Sequence, residues 1–185
     1  REISYMIRLT LMNHENEQKT AVLDLPATEE RMQEVQAELD APEWFDAQFI
    51  SCDAIVPQLN TMLTDVEDLP RINELAHSLL KLKANGQLTK FKAVVGATQC
   101  ESLDDVFDRL EKLPQYCFEA KIRDKDALVR DELEFVLGGK DADLIYKHLN
   151  CEAYAEDVLK QYGAEITPYG MVNREDFGPL HPSLI

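Results

Sequence analysis

Residues 19–39 read KTAVLDLPATEERMQEVQAEL, and the fold turns on how this stretch changes period. Ala21, Leu23 and Leu25 fall in phase at every second position, which is the spacing of a strand with one buried face. Pro26 closes that run. Thr28 is a good helix N-cap, and Glu29 and Glu30 suit the positive end of a helix. Met32, Val35 and Leu39 then mark an apolar stripe at helical spacing. A strand therefore hands over to an amphipathic helix within one short segment.

Upstream, residues 3–12 alternate through Ile3, Tyr5, Ile7, Leu9 and Leu11, and residues 13–18 are polar and turn-like. Two alternating runs around a short polar loop predict a hairpin. Downstream, Pro42 is expected to end the helix, and Phe45, Ala47 and Phe49 predict a third strand over residues 45–52. The first unit, residues 1–66, thus reads as β-β-α-β.

The character changes near Asp65. Pro70 sits where a first helical residue belongs. Ile72, Leu75, Leu79 and Leu82 keep helical spacing as far as the stop at Asn85-Gly86. A second helix carries Leu88, Phe91, Val94 and Val95. A third follows Ser102-Leu-Asp-Asp105, a capping-box pattern with Asp in place of Glu, and shows Leu103, Val106, Phe107 and Leu110 on one face. Residues 67–113 read as a helical bundle.

The third unit, residues 114–175, opens with a strand through Tyr116, Phe118, Ala120 and Ile122. Asp124 or Asp126 caps the next helix, whose inward face is Val129, Leu133 and Val136. Gly138-Gly139 stops it. Leu144, Ile145 and Leu149 mark one or two further turns. Residues 151–159 start helical and become extended, and residues 164–172 form a C-terminal hairpin. Residues 176–185 read as a loose tail. The expected class is α+β in three small units.

Charge is the strongest functional signal. The chain has 35 acidic against 19 basic residues and a formal net charge of −16. Between Glu15 and Asp53, eleven carboxylates face only Lys19 and Arg31, a local net of −9 in chain that reads as folded. Concentrated like charge opposes folding, repels nucleic acid and attracts proteins with positive clefts. Glu30, Glu34 and Glu38 recur every fourth residue, about 6 Å apart along a helix. Duplex DNA carries one charge per about 1.7 Å of axis, so a duplex-like surface needs several such groups. The candidates are Glu29, Glu30, Glu34, Glu38, Asp40, Glu43 and Asp46, then Glu67 and Asp68, Asp104, Asp105 and Asp108, and Asp141 and Asp143. Taken singly, each is most simply a solvated helix face. Lys81, Lys83, Lys90 and Lys92 lie in a stretch without acids, read as a counterweight or a solubility device rather than a subunit contact.

Other classes find little support. There is no G-x-S-x-G, H-E-x-x-H or P-loop, and no EF-hand loop. His148 and Cys151 lack two further ligands at usable spacing, and His14, His77 and His181 stand alone. No enzyme activity, cofactor or metal is expected. No run of about 18 apolar residues predicts a membrane span, and no secretory signal is visible. Cys52, Cys100, Cys117 and Cys151 form no C-x-x-C and read as free thiols. Trp44 reads as core or an interdomain wedge.

Glu152-Ala-Tyr154 with Asp157, the later Ile166-Thr-Pro-Tyr-Gly-Met-Val172, Ile72-Asn-Glu-Leu75 and Ser102-Leu-Asp-Asp105 together resemble the ArdA-type antirestriction proteins. Ala155 and Glu156 depart from the Gly and Arg of that family's E-A-Y-G-R-D box. The resemblance implies an elongated, three-unit homodimer that imitates bent duplex DNA. Its partner would be the methyltransferase core of type I restriction–modification enzymes in the bacterial cytoplasm. Two rivals remain open: an acidic inhibitor of another nucleic-acid enzyme, such as an anti-CRISPR or nuclease inhibitor, and an acidic adaptor unrelated to DNA enzymes.

Overall fold

The computed structural model describes residues 4–176 together with Gly178 and Leu180. Ile3, His181 and most of the expected tail lie outside the described residues. Among the described residues the protein is α+β, with eight α-helices and two three-stranded antiparallel sheets. The chain divides into two compact units. One holds the described residues up to Leu88 with Glu101–Leu103, and the other holds Thr89–Cys100 with the described residues from Asp104 onward.

The first unit is built on β1 (Ile7–Asn13), β2 (Thr20–Leu25) and β3 (Ala47–Ala54), in the order β2-β1-β3. Ile7 faces Leu25, Leu9 faces Leu23 and Leu11 faces Ala21, and all six are buried. Each fully buried large side chain stabilises by roughly 1.5–3 kcal/mol, so this in-phase face fixes the register. Helix α1 (Glu29–Leu39) buries Val35 and Leu39, while Met32 is half-buried. The Thr28 side chain accepts from the Arg31 N–H, as its position predicts. The helix stops before Pro42, because Asp40 takes a left-handed conformation (φ 56°). The Asn13 side-chain amide donates to the Leu39 and Asp40 carbonyls at 2.9 and 3.2 Å, while its oxygen accepts from the Glu15 and Asn16 N–H groups. One residue thus closes the hairpin turn and satisfies the end of α1.

After β3 come a short α2 (Leu59–Met62) and a 3-10 turn at Val66–Asp68, neither expected from the sequence, then α3 (Leu69–Ala84). Ile72, Leu75 and Leu79 are buried, and Gly86 follows the helix with φ +70°. The Asn73 side chain donates to the Ala27 carbonyl at 3.0 Å and accepts from its N–H at 2.8 Å, fastening the segment that leads into α1.

The second unit takes α4 (Leu88–Ala97) and α5 (Leu103–Glu111), each apart from its first residue. It continues with β4 (Tyr116–Glu119), α6 (Lys125–Val136), α7 (Gly139–Tyr146), α8 (Cys151–Tyr162), β5 (Glu165–Thr167) and β6 (Gly170–Arg174). The sheet order is β4-β6-β5. Ile122, Leu128, Val129, Leu133, Ala142, Ala155 and Val158 form its helical core. Asp124 rather than Asp126 caps α6, accepting from the Ala127 N–H at 2.7 Å.

Several expectations are corrected. Phe45 belongs to a 3-10 turn, Trp44–Asp46, and is 64% exposed, because the Asp46 carboxylate accepts from the Glu43 N–H and holds the chain in a turn. The strand starts at Ala47, and its alternation is broken by a register shift opposite Thr10 and Leu11. β1 begins at Ile7, so Tyr5 precedes the strand. β4 ends at Glu119, whose carboxylate accepts from the Lys121 N–H, and Ile122 joins the helical core instead. Val136 is 62% exposed, and Leu128 takes the inward position. α8 stays helical to Tyr162, and Gly163 (φ 58°) ends it.

Candidate functional site

The acidic residues of the first unit are placed by the hairpin-to-helix segment. Glu29 and Glu30 are exposed on the first turn of α1 and make no ion pair with any described residue. One and two turns on, Glu34 and Glu38 converge on Arg31, whose guanidinium donates to Glu34 at 3.0 Å and Glu38 at 2.9 Å. That double contact, strongest to Glu38, raises the guanidinium pKa. Two of the three stripe carboxylates thus share one cation, which offsets one of their charges. Asp40 pairs with Lys19 at 2.7 Å; the hydrogen bond and the ammonium charge hold its carboxyl below the ordinary 3.8.

Asp40 and Asp46 share a cleft of about 510 Å³ with Asn13, His14, Glu15, Pro42 and Phe45. Glu43 is exposed at the start of the Trp44–Asp46 turn. Glu15 was not among the expected residues; no local signal marks it, since the hairpin turn brings it to this cleft. Asp68 lies 3.9 Å from Arg71, and Glu67 is exposed beside it.

In the second unit Asp104, Asp105 and Asp108 lie on α5, with Asp104 exposed and the other two half-buried. Asp108 contacts Arg109 and sits 2.6 Å from Lys112; the Lys112 hydrogen bond leads the lowering of its pKa. Asp141 and Asp143 are exposed on α7, and Asp143 borders a cleft of about 370 Å³ between α6 and α7, with Asp131 and Glu134. Sequence reasoning missed a further pair. Glu152 and Glu156 on α8 both contact the Lys125 ammonium, which raises its pKa, Glu152 more than Glu156. Their four-residue spacing is the signal that singled out Glu30, Glu34 and Glu38.

Two cations thus share one arrangement: Arg31 bridges Glu34 and Glu38, and Lys125 bridges Glu152 and Glu156. These contacts are solvent-exposed and add little stability. Each cation is shared by two carboxylates four residues apart, which leaves a local net charge of about −1.

The lysine-rich stretch divides by role. Lys81 and Lys83 occupy the last turn of α3, where the helix dipole favours cations. Lys92 is half-buried, which lowers its pKa, and its ammonium lies 5.7 Å from the centre of the Tyr169 ring.

Among the described residues, no group of three or more His, Cys, Asp or Glu is arranged to hold a metal ion. His148 is exposed, and the Cys151 thiol points to the Tyr146 and Leu149 carbonyls. All four cysteines are free. No described helix is long and apolar enough to cross a membrane.

No protein-family model matches this sequence, and no curated protein matches it significantly.

Proposed function

We propose that the chain is an ArdA-type antirestriction protein, a proteinaceous decoy for duplex DNA that occupies the DNA-binding groove of type I restriction–modification methyltransferases. It acts as a homodimer, by occupancy and without chemistry of its own. What carries the proposal is α1. Its carboxylates project from a helix capped by Thr28, fastened behind by Asn73 and closed by Asn13, with Glu34 and Glu38 held by Arg31. A cleft lined with Lys and Arg normally displaces counterions from phosphates. Carboxylates already fixed on a stiff element present the same sign of charge without the cost of bending DNA.

The test is competition between this protein and a duplex for a purified type I methyltransferase. Inhibition should weaken as salt rises, because exposed charges are screened. Reversing Glu30, Glu34 and Glu38 together to Lys should weaken it more than any single reversal. Abolition by one carboxylate substitution with the fold intact would sink the decoy reading and point to a discrete contact. Competition against a CRISPR effector but not a methyltransferase would transfer the reading to another nucleic-acid enzyme.

A further inference from the structure

Helix α6 carries its apolar face beyond the core it helps to build. Leu128 and Val129 are buried. Seven residues later on the same two stripes stand Phe135 and Val136, which are 88% and 62% exposed. Leu137 follows, and on α7 Leu144 and Ile145 are exposed as well. Isolated exposed apolar residues are ordinary, but three in succession that prolong a helix's apolar face past its own core are a surface built to be covered.

The charge around it limits what can cover it. Two clefts lie along α6, and Phe135 lines the second of them. One, between α6 and α7, is bordered by Asp131, Glu134 and Asp143. The other, of about 470 Å³ between α6 and α8, adds Glu132 and the Tyr162 ring. Arg130 is engaged: it donates to Asp126 at 2.9 Å, and its guanidinium lies 3.9 Å from the centre of the Tyr146 ring. Of the described residues lining the two clefts only Arg130 is cationic, against Asp131, Glu132, Glu134 and Asp143, so carboxylates predominate at the rim.

We propose that this surface docks an amphipathic basic helix of a protein partner, with leucine-like side chains over Phe135 and Val136 and lysines or arginines reaching the rim carboxylates. A second copy would set one carboxylate rim against another, and an anionic membrane surface would meet the same repulsion. A duplex decoy gives no account of the patch, since a phosphate surface offers nothing apolar. The proposal goes beyond the decoy reading and stands without it.

The experiment uses the full chain and a labelled synthetic helix of about 18 residues, five turns, with leucines on one face and lysines on the other. A scrambled peptide of the same composition, without an apolar face, is the control for charge attraction alone. Fluorescence anisotropy at about 0.15 M salt should give at least tenfold tighter binding of the amphipathic helix. Phe135→Ser with Val136→Ser should erase that margin and leave the scrambled peptide unaffected. Both side chains are exposed, so far-ultraviolet circular dichroism should be unchanged. Equal binding of the two peptides to the wild-type chain would overturn the proposal. So would a shift from dimer to monomer in sedimentation caused by the double substitution, because a second copy would then be the occupant. Methyltransferase competition is measured separately, so failure of either reading leaves the other distinguishable.

Discussion

Replacing Asn73 by Ala should loosen the first unit and the second unit hardly at all. The Asn73 amide makes two hydrogen bonds to Ala27, at 2.8 and 3.0 Å, in a half-buried position, and Ala27 immediately precedes the cap of α1. Each neutral bond contributes about 0.5–1.5 kcal/mol net, so losing both should cost about 1–3 kcal/mol. In a chain of this size that is a fall of about 3–10 °C in melting temperature. Two compact units need not unfold together, so a single global transition is the wrong readout. Trp44, the one tryptophan of the chain, lies in the first unit and reports it selectively by fluorescence during urea unfolding. Asn60 supplies a graded comparison, because its side chain accepts a single bond from the Ala54 N–H at 2.8 Å. Asn60→Ala should therefore cost about half as much. A Trp44 midpoint for Asn73→Ala displaced by less than about 0.5 kcal/mol would refute the assignment of Asn73 as the fastening of α1.

Gly170 has φ +151°, and a Cβ there would lie 2.6 Å from both the Glu119 carbonyl and the Phe118 ring, so Gly170→Ala should cost about 2–4 kcal/mol and speed hydrogen exchange in β4 and β6. Acid should remove a defined contribution: Asp40 and Asp108 have folded pKa values below the ordinary 3.8, so the stability they supply is complete above 3.8 and is lost as pH falls from there through their lower folded values. Urea midpoints between about pH 5 and pH 2 measure this, and Lys19→Met should flatten the Asp40 part.

The elements that a single segment determines were legible in the sequence. β2 and α1 follow from alternation, Thr28 and helical spacing, and α3 follows from Pro70, its periodic leucines and Asn85-Gly86. The length of α8 was underestimated, because Tyr154 and Val158 also fit an extended run until their packing against the helical core decides the matter. Phe45 and Val136 misled for one shared reason. An apolar residue in phase with a buried neighbour is read as buried, yet Phe45 lies before its strand begins and Val136 lies past the core its helix packs on. For the candidate site, the acidic positions and their helical spacing were readable. Arg31 was visible only as a lone cation, and its bridging of Glu34 and Glu38 is a side-chain fact. The Lys125 bridge depends on contact between helices far apart in sequence, and the Asn13 closure of α1 on contact between a strand end and a helix end.

The bridged pairs bear directly on how a decoy can work. From Glu30 to Glu38 is about 12 Å of helix, over which duplex DNA carries about seven charges. Three carboxylates less Arg31 leave about two, so α1 cannot compete by charge density. Its advantage has to lie in order. Free glutamates lose rotamer freedom on entering a cleft, whereas Glu34 and Glu38 are already hydrogen-bonded to Arg31 in the unbound chain. Arg31→Met therefore makes opposite demands on two accounts. If affinity follows net charge, removing a cation should strengthen inhibition. If it follows preorganisation, the freed glutamates should weaken it, since ordering two long side chains outweighs one exposed charge screened by water. The expected result is inhibition weaker by about three- to tenfold at physiological salt, with the α1 fold retained by circular dichroism. Tighter inhibition by Arg31→Met would show that the carboxylates act as a diffuse charge, and a stiff scaffold would then lose its purpose.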